Sequence, residues 1–233
     1  MRKLLYAATV LAGSYVPAHA ILQFAADVNG SPFFCADNQA CDTNPLVGTL
    51  DLGNSVIGGV VVNGSIAIQS QVGGFALLDI SSLSIVNNTG GTVPITVTVG
   101  ATGYQPPATL AEVTGSGTFT TAQGSDITYT WFDDPTNQQG ADTAGDTPGT
   151  QTGTFTLNPV TLAVQSFSTD QFTTVNDQTV YSMTINASGN LVNGGSLLNR
   201  GQAEIKSNVP EPGTLTILGA ALLGLGLVRR RWT

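Results

Sequence analysis

An all-β fold, a β-sandwich with a jelly roll as one arrangement, is what this chain predicts, and three observations predict it. Short runs alternate apolar and polar residues. In Ile95-Thr96-Val97-Thr98-Val99 and in Ile127-Thr128-Tyr129-Thr130-Trp131 the odd positions are apolar and the threonines face the other way. That period of two marks strands with one buried face. Gly and Asn clusters punctuate the runs, as turns require. The composition is poor in charge, at 9% Asp, Glu, Lys and Arg, against about 25% in ordinary domains. Gly, Thr, Ser and Asn take their place, and the β-branched residues among the rest favour pleated surfaces. No helical pattern of useful length occurs before the C-terminal tail.

Taken in order, the predicted strands run 47–52, 56–62, 65–70, 75–86, 93–99, 109–113, 117–122, 126–132, 153–167, 180–187 and 203–206. Asn63-Gly64 predicts a two-residue hairpin turn between the second and third. Asn87-Asn88-Thr89-Gly90-Gly91 and Asn193-Gly194-Gly195 predict turns or loops. Residues 133–152 have no apolar periodicity and read as one long polar loop. Residues 21–208 form the body and suit a single sandwich-sized domain.

Charge narrows the possible partners. The 233 residues carry seven basic and fifteen acidic side chains. Within the body only Arg200 and Lys206 oppose fourteen carboxylates, a net charge of −12. Such a surface repels phosphate backbones and excludes nucleic acid as a partner. The only histidine, His19, lies in the first twenty residues. Without it the body has no Ser-His-Asp or Cys-His site and no imidazole-built zinc site. No phosphate-binding glycine loop or dinucleotide fingerprint is present. A glycosidase needs a carboxylate pair, and nothing in the sequence singles one out. No enzyme and no resident cofactor are therefore expected.

Three sets of residues remain as candidates. Cys35 and Cys41 are the only cysteines, and in an oxidising compartment they are expected to close a short disulfide loop. Asp133, Asp134, Asn137, Asp142 and Asp146 put several hard oxygen donors on one segment, which suits calcium, although the EF-hand register is absent. Trp131 and Phe132 could offer a stacking platform for a sugar, but adjacent strand positions point to opposite faces.

The two ends read as addresses. Met1-Arg2-Lys3, an apolar run from Leu4 to Val16, and Ala18-His19-Ala20 form a secretory signal, with cleavage expected after Ala20. At the other end Val209-Pro210-Glu211-Pro212-Gly213 precedes an apolar stretch at 214–228 and then Arg229-Arg230-Arg231. As a helix this stretch spans about 22 Å, short of the roughly 30 Å hydrocarbon core. Arginines that snorkel to the headgroups, and Trp232 at the interface, make up the difference. An arginine cluster favours the cytoplasmic side, which leaves the body outside.

Residues 209–233 resemble the PEP-CTERM sorting signal of Gram-negative bacteria. The matching positions are Pro210, Glu211, Pro212, the apolar stretch, and Arg229, Arg230 and Arg231. The resemblance implies export across the inner membrane, transient anchoring by a transmembrane helix, and recognition by exosortase with processing near the motif. The family's frequent link to exopolysaccharide and biofilm matrix, taken with both terminal signals and a histidine-free, low-charge body, gives the expectation of a non-enzymatic surface or extracellular-matrix protein. The alternative is a carbohydrate-binding β-sandwich module that uses calcium.

Overall fold

The computed structural model describes residues 21–71 and 75–206 and contains thirteen strands. In chain order they are β1 (Leu22–Val28), β2 (Ser31–Ala36), β3 (Thr49–Asp51), β4 (Ser55–Ile57), β5 (Val60–Gln71), β6 (Phe75–Asn87) and β7 (Val93–Tyr104). There follow β8 (Ala108–Thr120), β9 (Asp126–Asp134), β10 (Thr150–Leu157), β11 (Gln165–Asp177), β12 (Tyr181–Leu191) and β13 (Ser196–Lys206). They form two antiparallel sheets. The first has the order β10-β9-β12-β7-β1-β2. The second has the order β11-β8-β13-β6-β5-β3, with β4 paired to β5.

The last eight strands make a jelly roll. β6 pairs β13, β7 pairs β12, β8 pairs β11 and β9 pairs β10, so the chain folds back on itself as one nested hairpin. Rolling that hairpin adds the β8–β13 and β9–β12 ladders. The remaining strands extend each sheet at one edge. The all-β sandwich of the sequence is thus present, and its jelly-roll arrangement follows from the strand order.

Apolar residues from both sheets fill the space between them. The largest fully buried side chain is Trp131, with Tyr104, Tyr129, Tyr181, Phe24 and Phe119 around the same interlayer. Trp131 sits over two glycines. A Cβ on Gly115 would lie 3.2 Å from its Cζ2, and one on Gly153 would lie 3.5 Å from its Cε3. The sheets are also tied by polar contacts. The Tyr104 hydroxyl donates to the Leu77 carbonyl at 3.1 Å. The fully buried Asn87 amide on β6 donates to the carbonyls of Gly91 and, at the end of β12, Leu191.

Several boundaries differ from the sequence reading. β1 and β2 were not expected. Ala25 is buried on the outer face of β1, so the apolar alternation is blurred. Pro32 reads as a breaker, yet β2 is an edge strand, where proline is tolerated. Asn63-Gly64 is not a turn, because both lie within β5. The turn is at Gly58-Gly59, whose φ values of 56° and 84° give the two left-handed positions that a tight hairpin needs. Segments 109–113 and 117–122 are one strand, β8. Segment 153–167 is two strands that part around Pro159 and enter opposite sheets.

Cys35 and Cys41 are joined in a disulfide. Cys35 is fully buried against the interlayer while Cys41 lies at its margin. Removing the bridge by changing both to serine is expected to lower stability by about 2 kcal/mol, the loop-entropy value for so short a loop. Trp131→Ala is expected to cost more, about 3–5 kcal/mol, through the cavity it leaves. Denaturant unfolding of the purified exported protein checks both values and their order.

Candidate functional site

The polar segment expected to be one solvated loop begins two residues later than expected and lies on the protein. β9 carries the chain to Asp134. Residues 135–149 then cross the outer face of the first sheet, over β7 and β12. There the sheet presents small polar side chains. Thr98 and Thr184 are almost wholly buried, and Thr184 pairs with Gly100 and Asn186 with Thr98. The Gly103 amide donates to Asn137 Oδ1 at 2.8 Å, and Ser182 Oγ donates to the Gln138 carbonyl at 2.6 Å. The Gly145 amide donates to Thr98 Oγ1 at 2.8 Å. A Cβ on Gly100 would collide with the Gly140 carbonyl. The glycine is therefore what lets the loop sit this close.

The five oxygen-bearing residues of the sequence reading do not come together. Asp133 and Asp134 are adjacent on β9 and face opposite ways. Asp134 accepts bonds from the Thr136 and Gln138 amides, both at 2.9 Å, and so starts the loop. Asn137 holds the loop to β7. Asp142 and Asp146 are at the far turn, where the Asp142 amide donates to Asp146 Oδ2 at 3.3 Å. Among the described residues no three His, Cys, Asp or Glu side chains gather as a metal-holding group. Trp131 and Phe132 also separate, with Trp131 in the core and Phe132 half-buried on the outer face. They form no joint platform.

Two clefts lie beside these residues. One, of about 480 Å³, runs between the β1–β2 hairpin and the loop tip, and Asp27, Phe34, Asp142 and Thr143 line it. Phe34 is 40% exposed. Sequence reasoning missed this groove, because Phe34 was assigned to no strand and its cross-strand partner Ala25 carries no signal. The other cleft, of about 270 Å³, lies between the ends of β9, β10 and β11 and contains Asp133 and Asp177.

In that second cleft the Asp133 and Asp177 carboxyls lie close enough to act on each other. Burial, and then the charge of Asp177, push the Asp133 carboxyl up to about 8. Burial also raises Asp177. Tyr181, stacked on Tyr104 at 5.6 Å, has its phenol raised by burial and by both carboxylates. Asp177 sits at the end of a polar run that gave no strand signal, so its pairing with Asp133 was invisible in the sequence.

Residues 208–231 match the family described as the PEP-CTERM protein-sorting motif, the mark of an exported protein. Pro210, Glu211, Pro212, Arg229, Arg230 and Arg231 lie within this match and outside the described residues. The segment 1–20 and the apolar stretch 214–228 also lie outside the described residues. Among the described residues no helix is long and apolar enough to cross a membrane. No curated protein matches the chain. Among solved structures, the module TmCBM61 in complex with β-1,4-galactotriose is 8% identical. Coverage is 61% of this chain and 88% of that one, with a TM-score of 0.33. The carbohydrate-binding module CBM6cm-2 from Cellvibrio mixtus lichenase 5A, in complex with cellotriose, is 14% identical over 69% and 88%, with a TM-score of 0.26. A structure of infectious bursal disease virus, Gx strain, is 16% identical over 88% and 55%, with a TM-score of 0.35. Likenesses this remote carry no argument about what this chain binds.

Gly100→Ala is expected to lift the loop from the sheet. Overpacking of this kind costs about 1–3 kcal/mol, and limited proteolysis is expected to cut the variant within 135–149 while the parent resists.

Proposed function

We propose that this chain is a non-enzymatic surface or extracellular-matrix protein that exosortase processes and that associates with exopolysaccharide in a biofilm. The observation that carries the reading is the sorting motif, which begins at residue 208, two residues after β13 ends at Lys206. A folded sandwich followed at once by an address is the organisation of a passenger and its delivery signal. The electrostatics support a non-enzymatic role. Among the described residues the carboxyls raised by burial are Asp133 and Asp177, and they lie directly against each other. A glycosidase holds its pair about 5 Å or more apart across a substrate.

The test follows the protein in a host that has exosortase and in a strain lacking it. In the first, surface-extracted protein is expected to begin at Ile21 and to end near Glu211 by intact mass. In the second, the chain is expected to remain in the inner-membrane fraction with Arg229–Arg231 still attached. Recovery of the full C-terminus from the surface of the competent host would sink the reading.

A second reading, direct polysaccharide binding, rests on the Phe34 groove. An exposed ring stacks on the C–H face of a sugar, and the flanking Asp27 and Asp142 carboxylates accept hydroxyl hydrogen bonds. Phe34→Ala is expected to weaken polysaccharide binding roughly tenfold, the upper value for one aromatic contact. Polysaccharide arrays probed with both proteins check this, and an array on which the unaltered protein binds nothing removes the reading.

A further inference from the structure

We propose that Asp133 and Asp177 hold a divalent cation, with calcium as the fitting chemistry, and that this ion clasps the two sheets together at one end of the sandwich. Asp133 is the penultimate residue of β9 in the first sheet and Asp177 closes β11 in the second. Their carboxyls meet across the interlayer although the strands do not pair. Asp133 is 5% exposed and Asp177 1%. Among the described residues nothing cationic lines the cleft. The body contains two basic residues, Arg200 and Lys206, and neither lines the cleft.

A second observation is independent of the clustering. Asp133 Oδ1 and Asp177 Oδ2 are buried and have no hydrogen-bond partner among the described residues. Both belong to side chains more than nine-tenths buried that line a cleft of about 270 Å³. An unsatisfied buried oxygen is costly, and a buried charge without a counter-charge is more so. A proton shared between the two carboxyls meets part of that need. It leaves the outer oxygens idle, whereas a cation in the cleft takes them up and removes the repulsion.

The donor set selects the ion. The cleft offers carboxylate, hydroxyl and amide oxygens, the last two from Thr150, Thr174, Gln151 and Asn176. It has no imidazole and no thiolate, so zinc and copper are disfavoured. Irregular oxygen donors on chain ends suit calcium, which accepts 6–8 ligands, better than magnesium, which requires an octahedron. Extracellular modules bind calcium at about 10⁻⁴–10⁻³ M, which matches an exported protein. The site differs from the one expected on the loop, because it uses Asp177 and leaves out Asn137, Asp142 and Asp146.

The experiment uses the purified exported protein and the metal ions themselves. Thermal melts are recorded with a chelator, with calcium and with magnesium for the parent, Asp133→Asn, Asp177→Asn and Asp146→Asn. About 10 mM calcium is expected to raise the parent midpoint by roughly 5 °C or more, and magnesium by less. The two cleft variants are expected to lose the response, and Asp146→Asn to keep it. Terbium gives a readout that needs no variant. Bound in the cleft, it should be excited through Tyr181, whose phenol feels both carboxylates, and calcium should displace it. A parent midpoint indifferent to calcium, or a response lost in Asp146→Asn and kept in both cleft variants, overturns the proposal. Absence of sensitised, calcium-displaceable terbium emission does the same if a cleft variant fails to fold.

Discussion

The interlayer between the two sheets has to hold this protein by apolar contact, because its charges cannot attract one another. Fourteen body carboxylates face two basic side chains, so electrostatics contribute net repulsion. Burial supplies the opposing term, on the order of 25 cal/mol for each Å² of apolar surface removed from water. Trp131 shows how closely the contact is made. Its indole occupies space that Gly115 and Gly153 leave open, and Phe167 packs against the Tyr129, Phe119 and Phe155 rings beside it. A surface with few charges of either sign is tolerable only because the core carries the fold.

The nested hairpin then settles what happens at the sheet edges. A jelly roll does not close completely, so edges remain, and an open edge invites further strands. Here β10 is answered from the opposite sheet. The Gln171 side chain on β11 accepts from the Thr154 amide at 3.2 Å and donates to the Thr154 carbonyl at 2.7 Å. A side-chain amide thus stands where a neighbouring strand's peptide would be. At the other end of the same sheet, β2 carries Pro32, which has no amide to offer.

What the sequence made legible was the period of two. Where one face of a strand is buried and the other wet, as in β9 with Ile127, Tyr129 and Trp131 inward, the pattern reads directly. It fails where a second layer covers the outer face. β7 and β12 are buried on both sides along much of their length because the 135–149 loop lies across them. Glycines misled in both directions. Gly115 fell in the 114–116 gap read as a break in β8, but it makes room for Trp131, as Gly117 does for Phe167. Gly64 read as a turn, but it lets β5 pass close to the Ser82 carbonyl. The Asp133–Asp177 contact was illegible because it joins residues 44 positions apart in different sheets, and β11 hides its strand character behind Ser, Thr and Gln. The C-terminal sorting motif was legible for the opposite reason. Its information is linear, in residue order, and needs no tertiary contact to be read.

The ends of the fold bear on how such a protein can be processed. β1 begins at Leu22 and is paired on both sides, with β2 and with β7. β13 runs to Lys206 and is paired on both sides, with β8 throughout and with β6 apart from a register shift at Arg200. Neither terminal strand of the sandwich is an edge strand. A cut just before residue 21, or beyond residue 208, therefore takes no ladder hydrogen bond from either sheet and exposes no new edge. Had the last strand been an edge, removing the chain beyond it would have loosened the element most easily frayed. By ending on a central strand the body has its last ladders complete at Lys206. The 135–149 cover and the Asp133–Asp177 cleft are likewise built from residues remote in sequence from both ends.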